Sequence, residues 1–213
     1  MIMLTVTVAM ASFDWLMSLD PHWYSTMFGV YVYSGAALAF IAALILILLA
    51  FRSADVLRYS VNHEHYHDLG KWLFALTVFW AYIAFSQYLL MWYANLPIEM
   101  EFYRRRSVHS WQWLTLSLLA LQFILPFVIL LSARAKRSAP TLALAALCVV
   151  AGHFLDWYWL VLPALYPEGA PLGVADAIML VTTVLTMGAI MMSGLNRELS
   201  LVRPEPIWGT AAE

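Results

Sequence analysis

Charged residues are scarce in this sequence. Only 11% of its 213 residues are charged, whereas an ordinary soluble domain has about 25%. This deficit excludes a soluble enzyme and a disordered chain. A nucleic-acid partner is excluded as well, because the net charge is −2 and a nucleic-acid-binding domain needs a basic face.

Cysteine is almost absent, since Cys148 stands alone. A single thiol excludes a disulfide framework, a cysteine-ligated iron–sulfur cluster and a zinc ribbon. The sequence also lacks a glycine-rich phosphate loop, a Gly-x-Ser-x-Gly nucleophile motif and a Cys-x-x-Cys pair. A membrane haem usually needs two facing histidines, and His153 alone lies deep enough in an apolar stretch. We therefore expect no catalytic residue, no metal ligand and no redox cofactor in this chain.

Hydrophobic residues, by contrast, make up 63% of the chain. About 20 consecutive apolar residues in a helix span a bilayer, and a helix satisfies its own backbone groups there. The sequence therefore predicts an all-α fold, a polytopic transmembrane helical bundle with five full spans. The predicted spans are roughly Tyr24–Phe51, Leu69–Asn95, Trp111–Ser132, Pro140–Leu162 and Val174–Ser193.

The apolar N-terminal stretch, Met1 to about Leu16, is short for a span. It does not resemble a secretory signal, because no Lys or Arg precedes it. We interpret it as the distal part of a short or truncated helix. The sequence thus predicts one transmembrane domain over residues 1–193 and a cytoplasmic tail over 194–213.

Basic residues predict the orientation of the bundle, since they collect in cytoplasmic loops. If the loops alternate between sides, the C-terminus shares its side with the larger group of basic residues. That group should be cytoplasmic and comprises Arg52, Arg58, Lys71, Arg134, Lys136, Arg137, Arg197 and Arg203. The opposite, periplasmic side holds the triplet Arg104–Arg106, which opposes the rule.

Ionisable residues inside a span are costly and indicate function. His153 and Asp156 are three residues apart and share a face of the predicted fifth helix. Such a pair can exchange protons near neutral pH or hydrogen-bond a quinol hydroxyl. Alternatively, it locks two helices together. Asp14, with apolar neighbours, is either a third member of this site or an isolated interfacial carboxylate.

Other polar residues lie near helix ends. Asp20-Pro21-His22 is typical of a turn, in which Asp20 caps the next segment and His22 is exposed. Asp176 opens the last predicted span, where a carboxylate is favourable in its own right.

Weakly polar stripes also run along three predicted spans. Helical periodicity puts these residues on shared faces: Thr77, Gln87, Tyr88 and Asn95; Thr115, Gln122 and Pro126; and Tyr24, Tyr31, Ser34 and Gly35. They either pack helices together or line one interior that holds water or the head group of a lipid-soluble ligand.

The cluster His63, His65 and His67 has the residue type of a zinc site. Its alternating spacing suits an extended segment, however, so we predict a solvated cytoplasmic loop. Asp68 and Lys71 come next at i, i+3, where they can form an ion pair or a proton entry point.

Several long strings have a family resemblance. They are FDWLMSLDPHWYSTMFGVY at 13–31, HDLGK at 67–71, FWAYIAFSQY at 79–88, WYAN at 92–95, and HFLD at 153–156 followed by Trp159 and Pro163. Together they resemble the smaller NrfD-like membrane subunit (ActF, the second quinone-binding subunit) of bacterial alternative complex III. The resemblance covers about residues 12–193 and corresponds to the C-terminal half of the family's fold.

The resemblance implies a subunit of a quinol:electron-acceptor oxidoreductase in the bacterial inner membrane. Menaquinol or ubiquinol would be oxidised on the periplasmic side, and electrons would pass to cytochrome c or an oxidase. The implied partners are membrane lipid, a sister NrfD-like subunit, an iron–sulfur subunit and multihaem cytochrome c subunits. Those partners would carry the iron–sulfur clusters and haem c.

Within such a complex, this chain would contribute a quinone pocket, a proton path or both. Asp68 and Lys71 would lie at the cytoplasmic mouth, and Gln87 and Tyr88 along the path. His153, Asp156 and Asp14 would lie near the periplasmic exit or a quinone head group. Asp20, His22 and Asp176 are the other candidates for the quinone pocket or the proton path, which makes ten candidate residues in all. The alternatives are a purely structural scaffold and an independent transporter or channel.

Overall fold

All described secondary structure is helical, in agreement with the predicted all-α class. The computed structural model describes residues 2–53 and 63–170, and isolated positions at 173, 178, 182, 186 and 193–194. The α-helices are α1 (Ile2–Trp15), α2 (Phe28–Ser53), α3 (His63–Ala94), α4 (Pro97–Arg105), α5 (Trp111–Leu119), α6 (Leu125–Leu130), α7 (Ala133–Arg137) and α8 (Ala139–Leu165). A 3-10 turn covers Met17–Leu19, and a π-helical segment, Ala120–Ile124, joins α5 to α6.

Four stretches are long and apolar enough to cross a membrane. They are Phe28–Phe51, Glu64–Ala94, Trp111–Leu130 and Ala139–Leu165, and they match four of the five predicted spans. The short apolar helix Met3–Leu19 precedes them. The chain is therefore a multi-pass helical membrane protein.

The chain divides into two compact units, Met1–Ala170 and Pro171–Glu213. The first unit contains all the helices named above. In the second, positions 178, 182, 186 and 193–194 are helical. The predicted span Val174–Ser193 lies mostly outside the described residues, as do Asp176 and the predicted tail, so the predicted domain boundary at 193 stays a prediction.

Helix α2 forms its main contacts with three other helices of the first unit. It packs against α1, α3 and α8, and α8 also packs against α5, the π-helical segment and α6. Residues buried at these contacts are spaced at helical intervals, as Leu38, Ala42 and Ile45 are on α2. Close packing of this kind, with interhelical hydrogen bonds, stabilises helices in lipid.

The predicted loop before the span Leu69–Asn95 is partly wrong, because helix α3 already begins at His63. Tyr66 is buried, and its hydroxyl donates to the Leu48 carbonyl of α2, which anchors this first turn. The predicted ion pair is confirmed, since Lys71 Nζ lies 2.7 Å from Asp68 Oδ1. The alternating histidines thus lie on a helix, and no group of three metal ligands occurs among the described residues.

The predicted periplasmic loop 96–110 contains helix α4, which sequence reasoning missed. Pro97 opens this helix, where its missing amide hydrogen costs nothing, and Glu99 lies in the first turn. Arg104 and Arg105 lie in the last turn, where positive charge complements the helix dipole. These three features together were the available sequence signal.

The π-helical segment results from Pro126. Proline has no amide hydrogen and cannot bond the Gln122 carbonyl four residues earlier, so the helix widens by one residue at this point. Gln122 is fully buried there against Gly152 of α8. A Cβ atom on Gly152 would lie 2.6 Å from Gln122 Oε1 and 2.9 Å from the Gln122 amide nitrogen.

We expect Gly152→Ala to lower the free energy of unfolding by about 1–3 kcal/mol, because the added methyl group overpacks a backbone contact. Unfolding by a denaturing detergent, followed by far-UV circular dichroism, measures the change. The matched control is Ala151→Val at the adjacent, exposed position, where a change within about 0.5 kcal/mol is expected. Equal stability of the wild type and Gly152→Ala would contradict the close contact.

Candidate functional site

A cavity of about 650 Å³ lies within the first unit, a size typical of small-molecule sites. Its wall is mostly aromatic and aliphatic. It is lined by Phe28, Tyr31, Val78, Trp80, Ala81, Tyr82, Ala84, Phe85, Gln87, Tyr88, Phe102, Tyr103, Arg106, Ser107, Thr115, Leu118, Leu119, Phe123, Phe127, Trp159 and Leu160. Helices α2, α3, α4, α5, α6 and α8 all contribute residues.

Gln87 provides an unsatisfied polar atom in this wall. The residue is 5% exposed, and its Oε1 has no hydrogen-bond partner within the described part of the chain. Its side chain interacts with Tyr103. Burial raises the pKa of Tyr103, and the Gln87 side chain and the Arg106 charge oppose that increase. A buried acceptor without a partner is costly, so this end of the cavity is suited to a ligand that carries a hydrogen-bond donor.

Arg106 is a buried cation in the same wall, with 3% of its surface exposed. Its Nε donates to the Trp159 carbonyl and its Nη2 to the Leu160 carbonyl, both at 3.0 Å. Its Nη1 donates to the Phe102 carbonyl at 2.8 Å, and its guanidinium carbon lies 3.4 Å from the Phe102 ring centroid. Burial lowers the pKa of Arg106 to about 9, which leaves the side chain cationic at neutral pH.

The position of Arg106 follows from a proline in α8. Pro163 lies four residues after Trp159 and has no amide hydrogen to donate to the Trp159 carbonyl. Arg106 supplies that missing donor and thereby joins the end of α4 to α8. Thr115 reinforces the junction, because its hydroxyl accepts from Trp159 Nε1 at 2.8 Å and lies 2.9 Å from the Arg106 carbonyl.

The rest of the arginine triplet lies outside the cavity. Arg104 Nε is 3.5 Å from Glu101, and Arg105 is 3.2 Å from Glu101 and 3.3 Å from Asp20. The triplet that opposed the orientation rule is thus paired with local carboxylates or, at Arg106, with backbone carbonyls.

Asp156 lies behind the cavity wall and is 3% exposed. The Tyr31 hydroxyl donates to Asp156 Oδ1, and Tyr31 itself lines the cavity. The Trp80 indole also interacts with this carboxylate, although its Nε1 lies outside hydrogen-bond geometry. Tyr31 therefore links Asp156 to the cavity, a role that the polar stripe on the predicted span Tyr24–Phe51 had indicated only in general terms.

His153 and Asp156 contact different residues. Its Nε2 accepts from Trp157 Nε1 at 3.0 Å, and its ring packs on Gly35. Its Nδ1 is buried and has no partner among the described residues. His153 does not line the cavity, so the two residues share a helix without forming a direct pair.

The remaining predicted residues are dispersed. Tyr88 lines the cavity and packs edge-on against Tyr103, with ring centroids 5.1 Å apart. Asp20 and His22 line a second pocket of about 280 Å³ beside Arg105. Asp14 is exposed on α1.

The ion pair of Asp68 and Lys71 lies far from the cavity. Lys71 and Gln87 are 16 residues apart on one helix, a distance of about 24 Å.

Of the ten predicted residues, Gln87 and Tyr88 line the cavity and Asp156 reaches it through Tyr31. Sequence reasoning missed Tyr103 and Arg106. The available signal for Arg106 was Pro163, because a proline four residues after Trp159 leaves the Trp159 carbonyl without its helical donor.

No protein-family model matches this sequence, and no curated protein is similar to it. The fold and cavity define a class, a polytopic helical membrane protein with an internal, mainly aromatic cavity that carries one buried cation within its described lining.

We expect Arg106→Lys to lower the free energy of unfolding by about 2 kcal/mol, because an ammonium group cannot reach three carbonyls in the planar fork of a guanidinium. The measurement is detergent unfolding of the purified chain. The matched control is Arg104→Lys, whose side chain is 77% exposed, with an expected change below about 0.5 kcal/mol. Equal losses in both variants would contradict the capping role.

We expect Tyr31→Phe to lower the free energy of unfolding by about 1–3 kcal/mol, because it removes the hydroxyl that bonds the buried Asp156. Tyr33→Phe on the same helix is the control. A double-mutant cycle with Asp156→Asn tests the pairing itself. Additive effects of the two substitutions would show that the contact has no energetic weight.

Proposed function

We propose that this chain is a membrane subunit of a bacterial quinol oxidoreductase of the alternative complex III type, with a quinone pocket and a proton site but no redox cofactor of its own. One observation carries the proposal: the cavity combines an aromatic wall with Gln87 Oε1, a buried acceptor that lacks a partner among the described residues. A flat ring with hydroxyl groups, such as a quinol, satisfies both features.

Each polar residue of the cavity has a separate role in this proposal. Gln87 would accept a hydrogen bond from one quinol hydroxyl, while the cation of Arg106 and the hydroxyl of Tyr103 orient the ring. Tyr31 Oη would accept the proton of a ring hydroxyl as it passes its own proton to Asp156 Oδ1. Electrons would leave to iron–sulfur and haem c groups in partner subunits.

The geometry favours a short proton route at the cavity over a continuous path. Thr77, the buried polar residue between Lys71 and Gln87, donates its hydroxyl to the Leu73 carbonyl of its own helix. The ion pair of Asp68 and Lys71 is therefore separated from the cavity by an apolar stretch that includes the buried Leu73. In this proposal His153, which lies one turn from Asp156 on α8 and whose Nδ1 has no partner in the described part of the chain, would be the next proton acceptor.

A structural scaffold is the second candidate, and one observation favours it. Arg106 and Asp156 both form interhelical contacts that hold the bundle together. The transporter alternative has less support than the scaffold, because transporters of this kind have a pair of interrupted helices at the membrane midplane. Among the four described spans, only Trp111–Leu130 contains a π-helical interruption.

We expect Asp156→Asn and His153→Ala, each in the intact complex, to reduce quinol turnover or proton translocation at least about tenfold, a loss typical of removing a proton-transfer group. Quinol:acceptor activity and proton release in vesicles are the measurements. Asp14→Asn is the control, because Asp14 is an exposed carboxylate outside the cavity. Unchanged turnover and proton release in both variants would leave the scaffold as the function.

A further inference from the structure

The cavity is polar at one end and apolar at the other, along the axis of α3. Most of its polar residues lie where α3 leads into α4, and Tyr31, Trp80 and Tyr82 are the exceptions. The residues at that end are Gln87, Tyr88, Tyr103, Arg106, Ser107 and Thr115. From this asymmetry we infer that the cavity is filled from the bilayer, by an amphiphile whose ring lies at Gln87 and whose single apolar tail lies between α3 and residues 119–127. This inference rests on the proposed quinone-binding function.

The apolar end lies near the middle of the membrane. Val78 is close to the midpoint of the span Glu64–Ala94, and it is nine residues, about 14 Å, from Gln87. The opposite wall runs antiparallel, from Thr115 beside Arg106 down to Phe127, whose ring is 5.4 Å from that of Phe74. Phe127 lies at the deep end of the lining.

The lining of α3 is exposed on the side that the tail would use. Val78, Tyr82 and Phe85 are 40%, 65% and 59% exposed and are spaced i, i+4 and i+7, so they form one stripe. Leu119 on the opposite wall is 44% exposed. A cavity wall that is both apolar and exposed within a span opens to lipid, since water is absent at that depth.

The polar end specifies the chemistry of the head. It offers one buried cation and one unpartnered buried acceptor among its described residues, which suit an uncharged ring with both a hydrogen-bond donor and an acceptor. The described lining of the deep end is mainly apolar, with Trp80 and Tyr82 as its polar exceptions, which suits a hydrocarbon chain of at least about 14 Å. A compound without a tail would leave the deep end empty and lose the transfer free energy of that chain.

Binding of two quinols to the full chain in phosphatidylcholine nanodiscs tests this inference. One probe is the reduced form of a ubiquinone with a short isoprenoid tail, and the other is the reduced form of dimethoxy-methylbenzoquinone, which has a similar ring and no tail. Both rings carry the hydroxyl donors that Gln87 Oε1 lacks. Quenching of tryptophan fluorescence is the readout, because Trp80 and Trp159 line the cavity. Ala81→Phe places a ring in the deep half, six residues from Gln87, and Leu119→Trp narrows the opening at an exposed position that tolerates substitution.

Both variants should weaken binding of the tailed probe by about tenfold or more, since a few excluded methylene groups account for that factor, and should leave the tailless probe within about twofold. The control Ala75→Phe adds the same ring at an exposed position of α3 outside the cavity and should change the binding of neither probe.

If the wild type binds neither probe, the proposed function fails. If the wild type binds both, yet the variants weaken both probes equally or neither, the tail route is overturned while quinone binding stands. Displacement of the tailed probe by anionic phospholipid would also overturn it, in favour of a structural lipid.

Discussion

In a bilayer a helix that contains proline leaves a carbonyl with no water to bond. Pro163 creates this problem in α8 at Trp159, and the side chain of Arg106 solves it from the loop after α4. The same guanidinium lies over the Phe102 ring and donates a hydrogen bond to the Phe102 carbonyl. Arg106 therefore ties the end of α4 to α8. The polar end of the cavity exists because α4 is held there.

The cavity and the buried carboxylate share one wall. Tyr31 lines the cavity, and its hydroxyl donates a hydrogen bond to Asp156, which does not line the cavity. A change at Tyr31 in the cavity therefore alters the hydrogen bonding of the Asp156 carboxylate. Gln87 and Tyr103 complete the polar end, and the aromatic residues below them provide a surface for an apolar group. Among the buried polar atoms without a partner in the described chain, Gln87 Oε1 and Trp80 Nε1 belong to residues that line the cavity, whereas both amide atoms of Gln122 do not.

The spans were predictable because hydrophobic length is a one-dimensional property of the sequence. Gln87, Thr77 and Gln122 were also found on interior faces, as helical periodicity indicates. In contrast, Tyr88, Tyr24 and Asn95 from the same stripes are exposed. Helical periodicity gives the direction of a side chain around its helix, but it does not show whether a neighbouring helix covers that direction. Helix α4 had local signals at Pro97, Glu99 and Arg105. The role of Arg106, in contrast, depends on a partner in α8, more than fifty residues away, which local pattern does not reveal.

The link from Arg106 to Trp159 has a consequence for the evolution of this protein. The arginine is required because position 163 has no amide hydrogen, and a residue other than proline there would restore the helical bond to the Trp159 carbonyl. Positions 106 and 163 should therefore covary among related chains. A lineage that loses the proline is released from the need for a cation at 106, and in such a lineage the charge at the cavity is free to be lost as well.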